Sequence, residues 1–245
     1  THRRLRRSVG KFINTHHMIQ DGDRIVVGVS GGQDSTVLLW LLHERLQWLP
    51  IDYILHPVHV DPGFAGGCAE AMVDFCQSLG LPCQIEKTDF GPLAHSAENR
   101  ENPCFLCSRR RRQRLFEVAE SLGCTKIALG HHKDDFIETL LLNMCYAGKF
   151  STMAPVEPFF NGRFRVLRPL AAADKEAIAR FANRMGFPVL TNPCPSAKRS
   201  RRGQIKTLLE ALYASNANIG GNLFSAIQPL MSPDTASGAA SKRRP

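Results

Sequence analysis

The chain alternates between short, nearly unbroken runs of β-branched residues and longer stretches whose apolar positions recur at helical spacing. Residues 24–30 form the first such run, ending in glycines, and the apolar stretch 37–42 that follows reads as a helix. The rhythm repeats. It predicts strands over 51–60, 82–87, 126–130 and 164–167, and helices over 68–79, 107–122, 134–144 and 174–185. Apolar strands separated by helices imply an α/β fold with a doubly wound, mostly parallel sheet covered on both faces. Ligands bind such a sheet beyond the carboxyl ends of its strands, so the loops after Val29 and Leu129 face the expected site.

Past Gly186 the rhythm gives way to a Pro- and Arg-rich stretch and two helices, near 204–212 and 221–227. The expected organisation is a basic segment over 1–22, a nucleotide-binding α/β domain over 23–186 and a small helical C-terminal appendage over 187–231. Residues 232–245, dominated by Ser, Ala, Gly, Pro and basic residues, have little to bury and are expected to be disordered. With 245 residues, 43% of them hydrophobic, one main core is expected.

Charge adds a partner. The formal net charge is +9, and the excess falls in three clusters: Arg3 to Arg7, Arg109 to Arg114 and Lys198 to Arg202. Such clusters gain affinity by displacing counterions from a polyanion, and at this level RNA, DNA or an anionic membrane surface would all fit. No apolar run approaches the ~20 residues that span a bilayer, and the arginine-rich start lacks the apolar core of a signal peptide. A cytoplasmic protein without a membrane partner is expected. The eight cysteines then read as free thiols or metal ligands rather than disulfides.

The segment Ser30-Gly31-Gly32-Gln33-Asp34-Ser35 lies between a buried strand and a helix, where glycines let the backbone approach a ligand and helical N–H groups point at an anion. It reads as a phosphate loop. Ser30 and Ser35 offer hydroxyl donors, whereas Asp34 is better suited to hold Mg²⁺ than to meet phosphate directly. At Gly130-His131-His132-Lys133-Asp134-Asp135, the next strand-to-helix turn, Asp134 and Asp135 can serve as metal ligands or a general base, and His131 can bond phosphate. Adjacent acids at a helix start also simply stabilise its dipole.

Cys104 and Cys107 form a Cys-x-x-Cys just before Ser108-Arg109-Arg110-Arg111-Arg112. Two sulfurs facing one centre can bind metal or cycle redox. Cys194, in the segment able to fold back over the sheet mouth, offers a third thiolate, while a zinc site or an ordinary electron-transfer cluster wants four ligands. Cys68, Cys76, Cys83, Cys124 and Cys145 read as buried thiols, and His56 and His59 as packing or hydrogen-bonding residues.

The Ser-Gly-Gly-x-Asp-Ser loop resembles that of the PP-loop ATP pyrophosphatases, and Gly130 to Asp135 resembles their second hallmark. With Cys104, Cys107, Cys194, Arg168-Pro169-Leu170 and Gln204-Ile205-Lys206, the whole is similar to the tRNA 2-thiocytidine synthetases. That resemblance implies ATP bound by Ser30 to Ser35, Gly130 and His131, with Mg²⁺ on Asp34. It implies a three-cysteine [4Fe-4S] cluster and adenylation then thiolation of a tRNA base, expected to be a cytidine, with Asp34, Asp134, Asp135 and Arg111 as catalytic residues. A cysteine desulfurase or free sulfide would supply sulfur, and a homodimer is left open. Two features depart from the family: Gln33 stands where Lys is usual, and Ala197 where a further Cys is common. Thiolation of uridine or a small substrate, or an iron–sulfur protein that binds nucleotide and RNA without catalysis, remain alternatives. A zinc-ribbon-like module would need a fourth ligand that the sequence does not offer.

Overall fold

A computed structural model describes residues 2–188, 190, 193–196 and 200–231. Six strands, β1 (Asp23–Gly28), β2 (Tyr53–Asp61), β3 (Gln84–Lys87), β4 (Lys126–Ala128), β5 (Val156–Phe159) and β6 (Phe164–Leu167), form one sheet in the order β3-β2-β1-β4-β6-β5. Every neighbouring pair is parallel except β5 with β6. The order reverses between β1 and β4, which opens a crevice at their carboxyl ends. Both expected loops border it.

The β1 side chains alternate between two cores. Ile25 and Val27 pack with α1 (His2–Thr15), α2 (Gln33–Arg45), α3 (Ala69–Ser78) and α7 (Lys175–Met185). Val26 faces Leu115, Phe116 and Val118 of α5 (Pro103–Ser121) on the opposite side. A strand buried on both faces cannot show polar alternation, which explains its continuous apolar run. Pro57 is tolerated inside β2 because pairing with β3 begins only at Val58, so its missing N–H disrupts no ladder on that edge.

The remaining helices are a five-residue α4 (Phe90–Ala94), α6 (Lys133–Ala147), α8 (Arg201–Ser215) and α9 (Ile219–Ile227), with a 3-10 turn at Gln228–Met231. A third apolar cluster joins α6, through Phe136, Ile137 and Leu140, to Ile205 and Leu209 of α8 and Phe224 and Ile227 of α9. The C-terminal helices are thereby fixed to the helix that carries Asp134 and Asp135 in its first turn. The tail over 232–245, like Ala197, Lys198 and Arg199, lies outside the described residues.

One buried charge holds the sheet edge. The Arg168 side chain is 2% exposed; it donates to Glu157 Oε2 at 2.6 Å and to the Ala154 carbonyl at 2.6 Å. Removing one partner of a buried pair strands the other charge, at a cost of about 3–5 kcal/mol. Glu157 is partly exposed, so Glu157→Ala is expected near the low end, about 3 kcal/mol, read as a lower urea midpoint at unchanged slope.

Candidate functional site

A cleft of about 320 Å³ opens at the reversal point of the sheet. Val58, Val60, Leu115 and Leu129 give it apolar walls, while Ser30, Asp34, Arg111, Arg112, His131 and Asp135 supply polar groups. An apolar wall beside a phosphate loop suits a nucleotide.

The loop is braced from within. Ser35 Oγ donates to the Gly32 carbonyl at 2.9 Å and accepts from Ser30 N at 3.0 Å and Ser30 Oγ at 3.2 Å. Both hydroxyls thus serve first to close the loop, and Ser35 is buried. Gly31 has φ +84°, a left-handed conformation that disfavours any other residue. No side chain caps the start of α2 at Gly32, so its first N–H groups stay open to an anion. The Gln33 side chain turns away from the loop: its Nε2 donates to Asn183 Oδ1 on α7 at 3.0 Å. Its amide tethers two helices instead of meeting phosphate. Gln33→Ala is therefore expected to leave the KM for ATP within about twofold while costing at most about 1 kcal/mol in a denaturation curve.

The second turn packs directly on the first. A Cβ on Gly130 would stand 3.0 Å from the backbone of Asp34 and Ser35, so any larger residue would press the two turns apart by a few tenths of an ångström. His132 caps α6: its Nδ1 accepts from Asp134 N at 3.2 Å, and Asp135 Oδ2 returns to His132 N at 2.9 Å. In the neutral ring the proton then sits on Nε2, 3.9 Å from Asp34 Oδ2. Burial raises the Asp34 pKa, the His132 interaction opposes this, and the Asp135 charge adds to it. Two carboxylates sharing a cleft attract a cation, and both Asp34 and Asp135 line it.

Asp134 turns elsewhere and accepts from the Tyr213 hydroxyl at 3.1 Å. Arg202 bonds Asp135 Oδ1 and Thr139 Oγ1, each at 3.2 Å. Sequence reasoning missed these two anchors, since nothing in a linear pattern pairs α8 with the start of α6. It also passed over Arg112. His131 lines the cleft, burial lowers its pKa so that the ring is neutral, and its buried Nδ1 has no hydrogen-bond partner among the described residues.

Asn102 caps α5, its side chain accepting from Phe105 N, and Pro103 occupies the first turn. The helix thus starts before Cys104 rather than at Cys107, placing both sulfurs on one face. The Ser196 hydroxyl lies 3.3 Å from Cys104 Sγ and 3.5 Å from Cys194 Sγ, and 3.0 Å from His95 Nε2. Burial pushes the Cys107 thiol up; Arg111 opposes this, and Cys194 and Cys104 add to it. The three cysteines are thus brought together.

Among the described residues no group of three or more His, Cys, Asp or Glu is close enough for a single metal ion. A multi-iron cluster takes each thiolate on a different iron and spreads its ligands more widely. The donor set, three cysteines from a helix turn and a facing loop, fits such a group. One turn further along, Arg111 lines the nucleotide cleft, and its buried Nε has no partner among the described residues.

Among the described residues no helix is long and apolar enough to cross a membrane. Arg3, Arg4, Arg7 and Arg110 are exposed and form no ion pair among the described residues.

Comparison with known proteins agrees with this architecture. The PP-loop domain family matches residues 1–212. A tRNA-cytidine(32) 2-sulfurtransferase of Pelobacter propionicus is 41% identical over 228 residues, 92% of this chain and 85% of that protein. One of Anaeromyxobacter dehalogenans strain 2CP-C is 40% identical over 227 residues, covering 92% and 78%. Among solved structures, the U34-tRNA thiolase NcsA from Methanococcus maripaludis, with its [4Fe-4S] cluster, superposes with a TM-score of 0.76. It is 22% identical, over 94% of this chain and 78% of that one. The NH3-dependent NAD synthetase from Campylobacter jejuni gives 0.54 at 14% identity, over 99% and 98%. These two likenesses establish the fold alone. By the match over residues 1–212 and the identity to these relatives, the chain belongs to the PP-loop family and, within it, to that of the tRNA-cytidine(32) 2-sulfurtransferases.

Proposed function

We propose that the protein is an ATP-dependent tRNA sulfurtransferase that converts a cytidine to 2-thiocytidine. The observation that carries this reading is the position of Arg111, which lines the nucleotide cleft one helical turn from Cys107 and so joins the phosphate site to the three cysteines. ATP lies in the cleft with its base against Val58, Val60 and Leu129 and its phosphates at the open start of α2. Asp34 would hold Mg²⁺, with the Asp135 carboxylate adding negative charge to the same cleft.

The oxygen on C2 of the base attacks the α-phosphorus, the bond to the β-phosphate oxygen breaks, and pyrophosphate leaves. The base is then an adenylate. Sulfide adds at the same carbon and AMP departs with the original oxygen. Arg111 and neutral His131 donate to the α-phosphate oxygens as charge builds there. Cys104, Cys107 and Cys194 would hold a [4Fe-4S] cluster, and the chemistry it would supply is sulfur delivery, renewed by a cysteine desulfurase or by free sulfide. The exposed arginines of α1 and α5 hold the tRNA backbone, and the target base is splayed from its loop to reach the cleft. The α/β core over 23–186 and the appendage over 187–231 would then divide the work between ATP and the third cysteine. The family resemblance leaves a homodimer open.

The test is anaerobic reconstitution with iron and sulfide, incubation with ATP, Mg²⁺ and bulk tRNA, and mass spectrometry of the nucleosides. A 2-thiocytidine peak that requires ATP is expected. A thiouridine peak would redirect the substrate, and a fully clustered protein yielding no thionucleoside would overturn the reading.

A further inference from the structure

A second cavity, of about 240 Å³, adjoins the nucleotide cleft and shares Ser30 and Arg111 with it. Gly31, His59 and Cys68 line it, with Pro193, the neighbour of Cys194, at another wall. It therefore touches both the phosphate loop and the segment that carries the third cysteine. The volume is ample for a single pyrimidine base.

His59, near the end of β2, is almost fully buried, and its Nδ1 lies 2.7 Å from the Val29 carbonyl. A carbonyl only accepts, so Nδ1 carries the proton and Nε2 presents a lone pair. The ring is also kept neutral, since burial lowers its pKa and Arg111 adds to the effect, although the Val29 bond opposes it. Cys68 Sγ stands 3.8 Å from Nε2 and equally 3.8 Å from the Ser30 carbonyl. The thiol thus has two acceptors within reach, and a ligand N–H can take Nε2 while Cys68 keeps the Ser30 bond.

We infer that this cavity receives the target base and that His59 Nε2 reads the exocyclic amine of cytosine. The inference rests on the proposed tRNA thiolation and assigns the residue that selects its base. Cytosine presents an N–H donor at position 4 where uracil presents an oxygen acceptor. Against a lone pair fixed by the Val29 bond, the amine makes a hydrogen bond and the oxygen meets repulsion. A site built to pair with a substrate N–H rejects the analogue without it, because the buried acceptor is left unpaired. The 2-oxo group lies at another corner of the ring, toward Ser30 and Arg111, where the two cavities meet.

The experiment measures dissociation constants of the clustered protein, with a non-hydrolysable ATP analogue, for anticodon stem-loops that differ only at the target base: cytidine, uridine, or the pyrimidin-2-one riboside, in which hydrogen replaces the 4-amine of cytidine. The wild type should prefer cytidine over both others by at least about tenfold, and His59→Gln should bring the three within about threefold. Cys68→Ala, which keeps Nε2 in place, should retain the preference. The pyrimidin-2-one RNA tests the same contact with no change to the protein, so a misfolded His59 variant does not decide the matter. Equal wild-type affinity for cytidine and the pyrimidin-2-one analogue would overturn the inference, as would a preference that survives in well-folded His59→Gln. Parallel thiolation assays separate the two readings: cytidine-selective binding without thionucleoside would fell the thiolation proposal and leave base recognition by His59 standing.

Discussion

Cys194→Ala is expected to lower thionucleoside formation by at least about 100-fold while the affinity for ATP stays within about twofold. The nucleotide cleft is lined by β1, β2, α5 and the two strand-to-helix turns, and Cys194 is not among its walls. The substitution removes one of the three thiolates proposed to hold the cluster, and two cannot hold three irons. Half-buried as it is, Cys194 contributes little packing, so the melting temperature of the cluster-free protein should hardly move. Iron content per chain, thionucleoside yield and ATP affinity are measured on the same reconstituted sample. Undiminished iron and undiminished thiolation would remove Cys194 from the site. A milder loss is expected for Ser196→Ala, since its hydroxyl sits among Cys104, Cys194 and His95 without being a thiolate.

How far this site could be read from the chain depends on whether a signal is local. The phosphate loop, the turn at Gly130 and the Cys-x-x-Cys are each contiguous, because strand, glycine and helix must follow one another to build them. The parallel sheet was legible for the same reason: Ile25, Val26 and Val27 are all apolar because both faces are covered. The basic start proved harder. Its arginines hide Leu5, Val9 and Ile13, spaced four apart, which pack α1 into the main core. The start of α5 was misplaced although Asn102-Pro103 is a cap signature, since cysteines and arginines drew the reading toward Cys107.

Other features had no local signal at all. The edge strand β5 is short, contains Pro158 and reaches its hairpin through Phe160 and Asn161, both at positive φ. The meeting of Tyr213 with Asp134, and of Arg202 with Asp135, depends on where α8 packs. His59 and Cys68 were read separately as packing and as a buried thiol. Their pairing exists only because the end of β2 and the start of α3 converge on Gly31, whose missing side chain leaves room for the sulfur.

Asp34→Asn should separate what the site does from what it costs. The amide keeps the shape of the carboxylate and removes the charge proposed to hold Mg²⁺, so pyrophosphate release is expected to fall by about 10²–10³. Stability should move the other way. Burial raises the pKa of Asp34, and the nearby Asp135 charge adds to the shift. A carboxyl with a raised folded-state pKa binds its proton more tightly when folded. Stability therefore declines as pH rises from the unfolded value through the folded one, and it stays lowered at neutral pH. Removing the charge relieves that penalty, so the metal-free variant should melt at or above the wild-type temperature at pH 7. The difference should vanish near pH 3, where the wild-type carboxyl is protonated in both states. Asp34 is 40% exposed, so solvent screens the effect and the gain is modest. Mg²⁺ and ATP together should reverse the order, stabilising the wild type and leaving the variant nearly unmoved. A variant that loses activity but also melts well below the wild type at pH 7 without metal would mean that Asp34 is held by the fold, not kept against it for catalysis.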